Sequence, residues 1–269
     1  MLKWTSVVGL TLAVSMTQAA AQSQPQSQSQ SQSQSQSQSQ PGTLHIATEY
    51  SPPTSMREGG QVIGSATDKV RAALARTGTP YAIEMLPWKR AYNNALDRPD
   101  GCVYSTTRTP ERERLFKWVG PTDEGEWVLL GRADHGYRIE TLEDARKLRI
   151  GTYNGDARDA YLRARGFQVD PAPTDSINPK KLLLKRIDLW AAGLRRGSSF
   201  LEVNGYGGRI VPVFVFNRVK LYLACNLAVP DATIDKLNAA LESMLRDGTA
   251  NRIERKYDSW TLPRLVGPE

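Results

Sequence analysis

From Leu44 to Trp190 the chain alternates short apolar runs with stretches in which apolar residues recur at helical spacing, and the changes of period coincide with glycines and prolines. Leu44–Thr48 reads as a strand that runs into a loop forced by Pro52 and Pro53. Val62–Arg76 reads as a helix with Ala66, Val70, Ala73 and Leu74 on one side, stopped by Gly78 and Pro80. A strand over Tyr81–Leu86, a helix from Pro87-Trp88 and a strand over Cys102–Ser105 complete a first unit. The series then repeats. Val128–Arg132 is extended, and Thr141-Leu-Glu-Asp144 resembles a capping box before a short helix. Leu148–Thr152, Phe167–Val169 and Ile187–Trp190 read as strands, with helices over Asp156–Arg165 and Pro179–Lys185 between them. Such alternation argues for an α/β fold, a sheet covered by helices on both faces, built as two similar units in series. The last part, extended over Leu221–Leu227 and helical from Thr233 to Asp258, has too few strands for a third unit and is expected to return to the first.

The start of the chain belongs to neither unit. Lys3, an apolar run from Val7 to Val14 and the small residues Ala19-Ala20-Ala21 have the three parts of a secretory signal peptide, and the run is too short to cross a bilayer. Cleavage is expected after Ala21. The Ser-Gln repeat that follows has no apolar residue to offset its ordering entropy, so residues 22–42 are expected to form a disordered linker. The mature protein is therefore expected in the periplasm.

The formal net charge of +7 falls by one when the signal peptide takes Lys3 away, leaving a basic protein. Its cations are scattered, without the aromatic-interleaved stripe that nucleic acid would require. The two cysteines, Cys102 and Cys225, form an even count in an oxidising compartment, which favours a disulfide bond; two buried thiols are the alternative. The two histidines, His45 and His135, have no cysteine or acidic pair at ligand spacing, so no metal site is expected. No cofactor motif is present either. Gly205-Tyr-Gly-Gly208 fits neither a phosphate loop nor a dinucleotide fingerprint, and Ser198-Ser199 lacks the setting of a nucleophile.

In open α/β sheets, ligands bind beyond the carboxyl ends of strands, where helix N-termini point free amide hydrogens. Three loops have that position: Glu49–Pro53, Ser105–Thr109 and Tyr153–Asp156. Tyr50 is placed to stack on a ligand, and Ser105 and Thr107 alternate along an extended stretch and so share a face. Asn154-Gly155 allows close backbone approach. Trp88 and Trp190 are either stacking platforms or core aromatics. The charged run Arg108-Thr-Pro-Glu-Arg-Glu-Arg114 has two readings. Either it is a solvated surface, or Thr109-Pro110-Glu111 opens a helix that brings hydroxyls, amides and an arginine to an anion.

Tyr-x-Pro-Pro at 50–53, Gly-x-x-x-Asp at 64–68, Pro-Trp-x-Arg-Ala at 87–91, Arg-Thr-Pro-Glu-Arg-Glu with Phe-x-Trp-Val-Gly-Pro at 108–121, and Arg-Ile-Asp-Leu-Trp at 186–190 occur in an order that resembles the periplasmic solute-binding proteins of family 3. These are the polar amino acid receptors of ABC importers. The resemblance runs from about Thr43 to Trp260. It implies a two-lobed type II binding-protein clamp, with lobe one from residues 43–131 and 225–262, lobe two from 132–224, and two crossing strands between them. It further implies that Ser105, Thr107 and Arg112 grip a carboxylate and that the helix N-terminus at Asn154, Gly155 and Asp156 adds amide donors; Arg108 is a further candidate ligand contact in the same charged run. Where amino acid receptors carry an acid for the α-amine, this chain has Gly193. The function implied is a non-enzymatic, monomeric receptor for a small anionic or zwitterionic solute, feeding an ABC permease in the inner membrane. The competing classes are an exported enzyme on the same fold, such as a dehydratase of a cyclic acid, and a ligand-sensing module.

Overall fold

A computed structural model describes residues 42–194, 201–202 and 204–258. The expected signal peptide and nearly all of the expected linker lie outside these residues. Strands β1 (Leu44–Thr48), β4 (Tyr81–Met85) and β5 (Gly101–Thr107) pair in parallel, with helices α1 (Ser65–Thr77) and α2 (Trp88–Asp97) between them in sequence. At the other end of the same sheet, β7 (Arg149–Tyr153), β8 (Gln168–Ala172) and β9 (Leu189–Gly193) are also parallel. There α3 (Ala157–Ala164) and α4 (Asn178–Leu183) make the crossovers.

Two long antiparallel strands, β6 (Lys117–Arg132) and β10 (Ile210–Cys225), join the ends, giving the order β4-β1-β5-β10-β6-β9-β7-β8. Strand β5 meets β10 over Leu221–Cys225, and β9 meets β6 over Trp127–Leu130. Between these pairings, Glu124–Glu126 and Arg218–Lys220 form a two-stranded ribbon. After β10 the chain returns to the first end as α5 (Asp231–Arg246) and α6 (Thr249–Lys256), as expected.

The period of two along each strand sends alternate residues to opposite faces, and each face has its own core. Ile46 packs with Val70, Leu74, Leu237 and Met244 from α1 and α5, whereas its neighbour Ala47 joins Trp88 and Ala91 of α2. At the other end Leu130 packs with Leu182 and Trp190, and Leu129 with Ile150 and Leu162. Helices therefore cover both faces at both ends.

The structure departs from the sequence expectations in three places. Helix α1 begins at Ser65 rather than Val62, because Met56–Glu58 (β2) and Gln61–Ile63 (β3) form a hairpin around Gly59 and Gly60, whose φ angles of +54° and +81° suit the two-residue turn. The extended segment expected at Val128–Arg132, and that expected at Leu221–Leu227 as far as Cys225, belong to strands of 16 residues each, which run through Pro121 and Pro212. Thr109-Pro110-Glu111 opens no helix. Arg112 N–H donates to the Thr109 carbonyl and Leu115 N–H to that of Arg112, so the run is a series of tight turns. Phe116 is buried and β6 starts at Lys117, which leaves too few residues to repay helix nucleation.

Cys102 and Cys225 are bonded, with Cα atoms 4.0 Å apart. They are directly opposed in the β5/β10 register, so the bridge ties two strands that are already neighbours.

Candidate functional site

Two adjoining chambers lie where the strand ends of the two halves face each other, and Glu49, Trp88 and Tyr153 border both. The smaller, about 130 Å³, is bordered by Ser51, Ser105, Thr107 and Arg112 from the first half and by Asp156 and Arg158 from the second, with Glu124, Glu126, Trp127 and Leu221 from the two long strands. The larger, about 370 Å³, is bordered by Tyr50, Met85, Leu86 and Trp190, with Asn154 and Asp175 among its polar residues. All three loops singled out in the sequence thus meet at one place.

Arg112 reaches the smaller chamber because the tight turns fold its side chain inward while Glu111, Glu113 and Arg114 stay exposed. Only 9% of it is accessible, and its guanidinium lies 4.9 Å from the ring centre of Tyr92. It donates to two carbonyls, those of Thr107 (3.4 Å) and Gly155 (2.9 Å), and among the described residues no carboxylate stands within ion-pair distance of it. The indole N–H of Trp88 donates to the same Gly155 carbonyl at 2.8 Å, and the Tyr153 hydroxyl donates to Glu49 at 2.8 Å. Three hydrogen bonds therefore cross from one half to the other. Gly155 can present its carbonyl this way because its φ of +80° is readily available to glycine.

Ser105 and Thr107 both border the smaller chamber, but simple alternation is not the reason. Ser105 has φ +58°, a left-handed conformation inside a strand, next to a register shift between Tyr222 and Ala224. Its Oγ has no hydrogen-bond partner among the described residues. A left-handed non-glycine residue costs about 1–2 kcal/mol, so Ser105→Gly is expected to leave the ligand-free protein as stable or up to about 1 kcal/mol more stable. The same variant is expected to bind its ligand more weakly. Denaturant melts and calorimetry on one preparation measure both effects.

Arg108 lies apart from both chambers. Its guanidinium forms a bidentate pair with Glu113 and faces the rings of Trp118 and Tyr222, so the expected contact with a ligand gives way to an ion pair that holds the turn. Tyr50 is 46% accessible at the larger chamber, whereas Trp190 is only 2% accessible. The Trp190 indole N–H donates to Asp175 at 2.7 Å, so this ring is both a core aromatic and a wall of the chamber.

The helix N-terminus at Asn154–Asp156 does not simply offer free amides. Asp156 is the N-cap of α3 and accepts from Arg158 N–H at 3.0 Å, while the Arg158 guanidinium donates to the same carboxylate at 2.8 Å. Asp175 stands 4.0 Å from Arg158. Sequence reasoning singled out the loops that begin at Glu49 and Tyr153 but not these two side chains, and it missed Arg158 and Asp175. A signal existed for Arg158 alone, as the cation two residues after a capping aspartate.

Burial pushes the Asp156 carboxyl up to about 6; Arg158 pulls it down and Asp175 pushes it further up. From the ordinary value of 3.8 to about 6, the folded protein holds a proton that the unfolded chain releases. Stability contributed by this group therefore falls as pH rises through that window and is constant above it. Carbon-13 carboxyl titration is expected to show an aspartate with a midpoint near pH 6 that disappears in Asp156→Asn. A midpoint near 3.8 would overturn this.

The model for bacterial extracellular solute-binding proteins, family 3, matches residues 44–259. No curated protein sequence matches the chain. Among solved structures, a histidine kinase sensor domain with similarity to periplasmic binding proteins superposes with a TM-score of 0.74 at 16% identity, over 82% of this chain and 98% of that one. The arginine-binding protein ArgBP from T. maritima, in a mutant form, gives 0.71 at 18% identity, over 81% and 96%. The GluR0 ligand-binding core from Nostoc punctiforme, in complex with L-glutamate, gives 0.70 at 18% identity, over 81% and 100%. At such identities the likeness is one of fold, the type II periplasmic binding-protein fold with two crossing strands. With the family match extending from the first strand through the last helix, the chain belongs to the bacterial extracellular solute-binding proteins of family 3.

Proposed function

We propose that this protein is a non-enzymatic receptor for a small carboxylated solute, an amino acid or related organic acid, which it delivers to an ABC permease of the inner membrane. The observation that carries the proposal is Arg112. A buried guanidinium without a carboxylate partner is costly to desolvate, and here it borders the same chamber as a serine hydroxyl that has no partner among the described residues. A carboxylate between them would satisfy both, and the five N–H donors of arginine leave room for one beside the two carbonyls.

On this reading, residues 43–131 with 225–262 form one lobe and 132–224 the other, and the β6/β10 ribbon is the hinge. The hydrogen bonds that cross at Gly155 and Glu49 would belong to a closed form, and a ligand favouring closure would act through differential affinity for it. Export by the signal peptide over residues 1–21 places the receptor, a monomer, in the periplasm. The likeness to a sensor domain supports a second reading, in which the same clamp hands its ligand to a signalling protein.

A thermal-shift panel of amino acids, organic acids and polyamines tests the binding class, since a ligand that binds the native state alone raises the melting temperature. Carboxylates are expected to stabilise and polyamines are not. The stabilising compound should be recovered unchanged after prolonged incubation; a product would make the protein an enzyme.

A further inference from the structure

The two chambers differ in what they can hold, and the difference points to the solute's shape. The larger one falls within the usual range of about 300–1,000 Å³ for small-molecule pockets, and the smaller one falls below it. The smaller is the one with Arg112 and Ser105. The larger is walled mainly by Tyr50, Met85, Leu86, Trp88 and Trp190. The two acids that border it are already engaged by the protein: Asp175 accepts from Trp190 and from Asn178, and Glu49 accepts from Tyr153. Its other polar residues, among them Asn154, Thr174 and Lys89, are exposed. An amide-tipped side chain entering that space would give up water for aromatic and aliphatic walls. A flat apolar body would gain by the same exchange.

We propose that the solute carries its carboxylate on a flat, mainly apolar body, as an aryl- or indolyl-substituted short-chain acid does. The head lies in the smaller chamber against Arg112 and Ser105, and the ring lies in the larger one beside Tyr50. This rests on the carboxylate reading of Arg112 given above and adds the class of the body.

Calorimetry on the mature protein with indole-3-acetate, indole-3-acetamide, acetate, L-arginine and L-glutamine tests head and body separately. Indole-3-acetate is expected to bind, its amide at least about thirtyfold more weakly, and acetate at least about tenfold more weakly. Tyr50→Ala should weaken indole-3-acetate about five- to tenfold and leave acetate unchanged. If L-arginine or L-glutamine binds and indole-3-acetate does not, the aryl body is wrong while the carboxylate reading survives. If the acetamide binds as tightly as the acid, the carboxylate reading itself falls. If Tyr50→Ala binds indole-3-acetate like wild type, the ring does not lie in the larger chamber. If no compound of the panel binds, both readings fall.

Discussion

Arg112→Lys is expected to bind the best carboxylate of the thermal-shift panel at least about thirtyfold more weakly than wild type, equivalent to about 2–5 kcal/mol. Lysine retains the charge but not the planar pair of donors that grips a carboxylate with two parallel bonds. Among the described residues the partners of Arg112 are two neutral carbonyls, each bond contributing about 1 kcal/mol, so the melting temperature without ligand should change little. Arg114, two residues on and exposed, is the control: Arg114→Ala should bind normally. Calorimetry on the three proteins decides the matter. Full affinity in Arg112→Lys, or an equal loss in Arg114→Ala, would move the anion site elsewhere.

Replacing Cys102 and Cys225 together by alanine should lower stability by about 2–5 kcal/mol, because the bridge closes a loop of 123 residues. For a domain of this size the melting temperature should fall by roughly 5–20 °C. Peptide mapping without reductant should first recover the two cysteines as one linked pair. Below its melting temperature the double variant should still bind, since the strands carrying Ser105, Thr107 and Leu221 are also held by their own ladder. Equal melting of wild type and variant, once the linked pair has been mapped, would show that the ladder alone sets the geometry of this edge.

The alternation of strand and helix was legible because both periods are local and their boundaries carry glycine or proline. The return of the C-terminal helices to the first unit was legible for a different reason: the remaining chain had too few strands to build anything else. Three features were not legible, each because something distant or unusual overrides the local pattern. Pro121 and Pro212 are unusual inside long strands, yet β6 and β10 run through them, and the pairing shifts register near each, between Leu221 and Leu223 and between Pro212 and Phe214. Gly59-Gly60 carried a hairpin signal that helix-like residues around Val62 obscured. The inward turn of Arg112 depends on Phe116 being buried and on Glu113 holding Arg108 back, neither of which shows in a run of charges. Within the site, the positions of the three loops were readable and a capping aspartate followed by a cation hinted at the Asp156–Arg158 pair, but the left-handed Ser105 exists only once β5 is paired with β10.

The ribbon of β6 and β10 also fixes an order of completion for a chain that emerges N-terminus first. Arg132 and Ile210 face each other in register, so everything from β7 to β9 closes on itself by the time Ile210 arrives. The earlier half cannot close then. Strand β5 waits for Leu221–Cys225, and the face carrying Ile46, Val70 and Tyr104 waits for Leu237 and Met244 of α5. The part of the protein that is synthesised first is thus finished last. Until those final helices arrive, an open apolar face on β1, β5 and α1 persists, and that interval is when the chain most needs shielding from its neighbours.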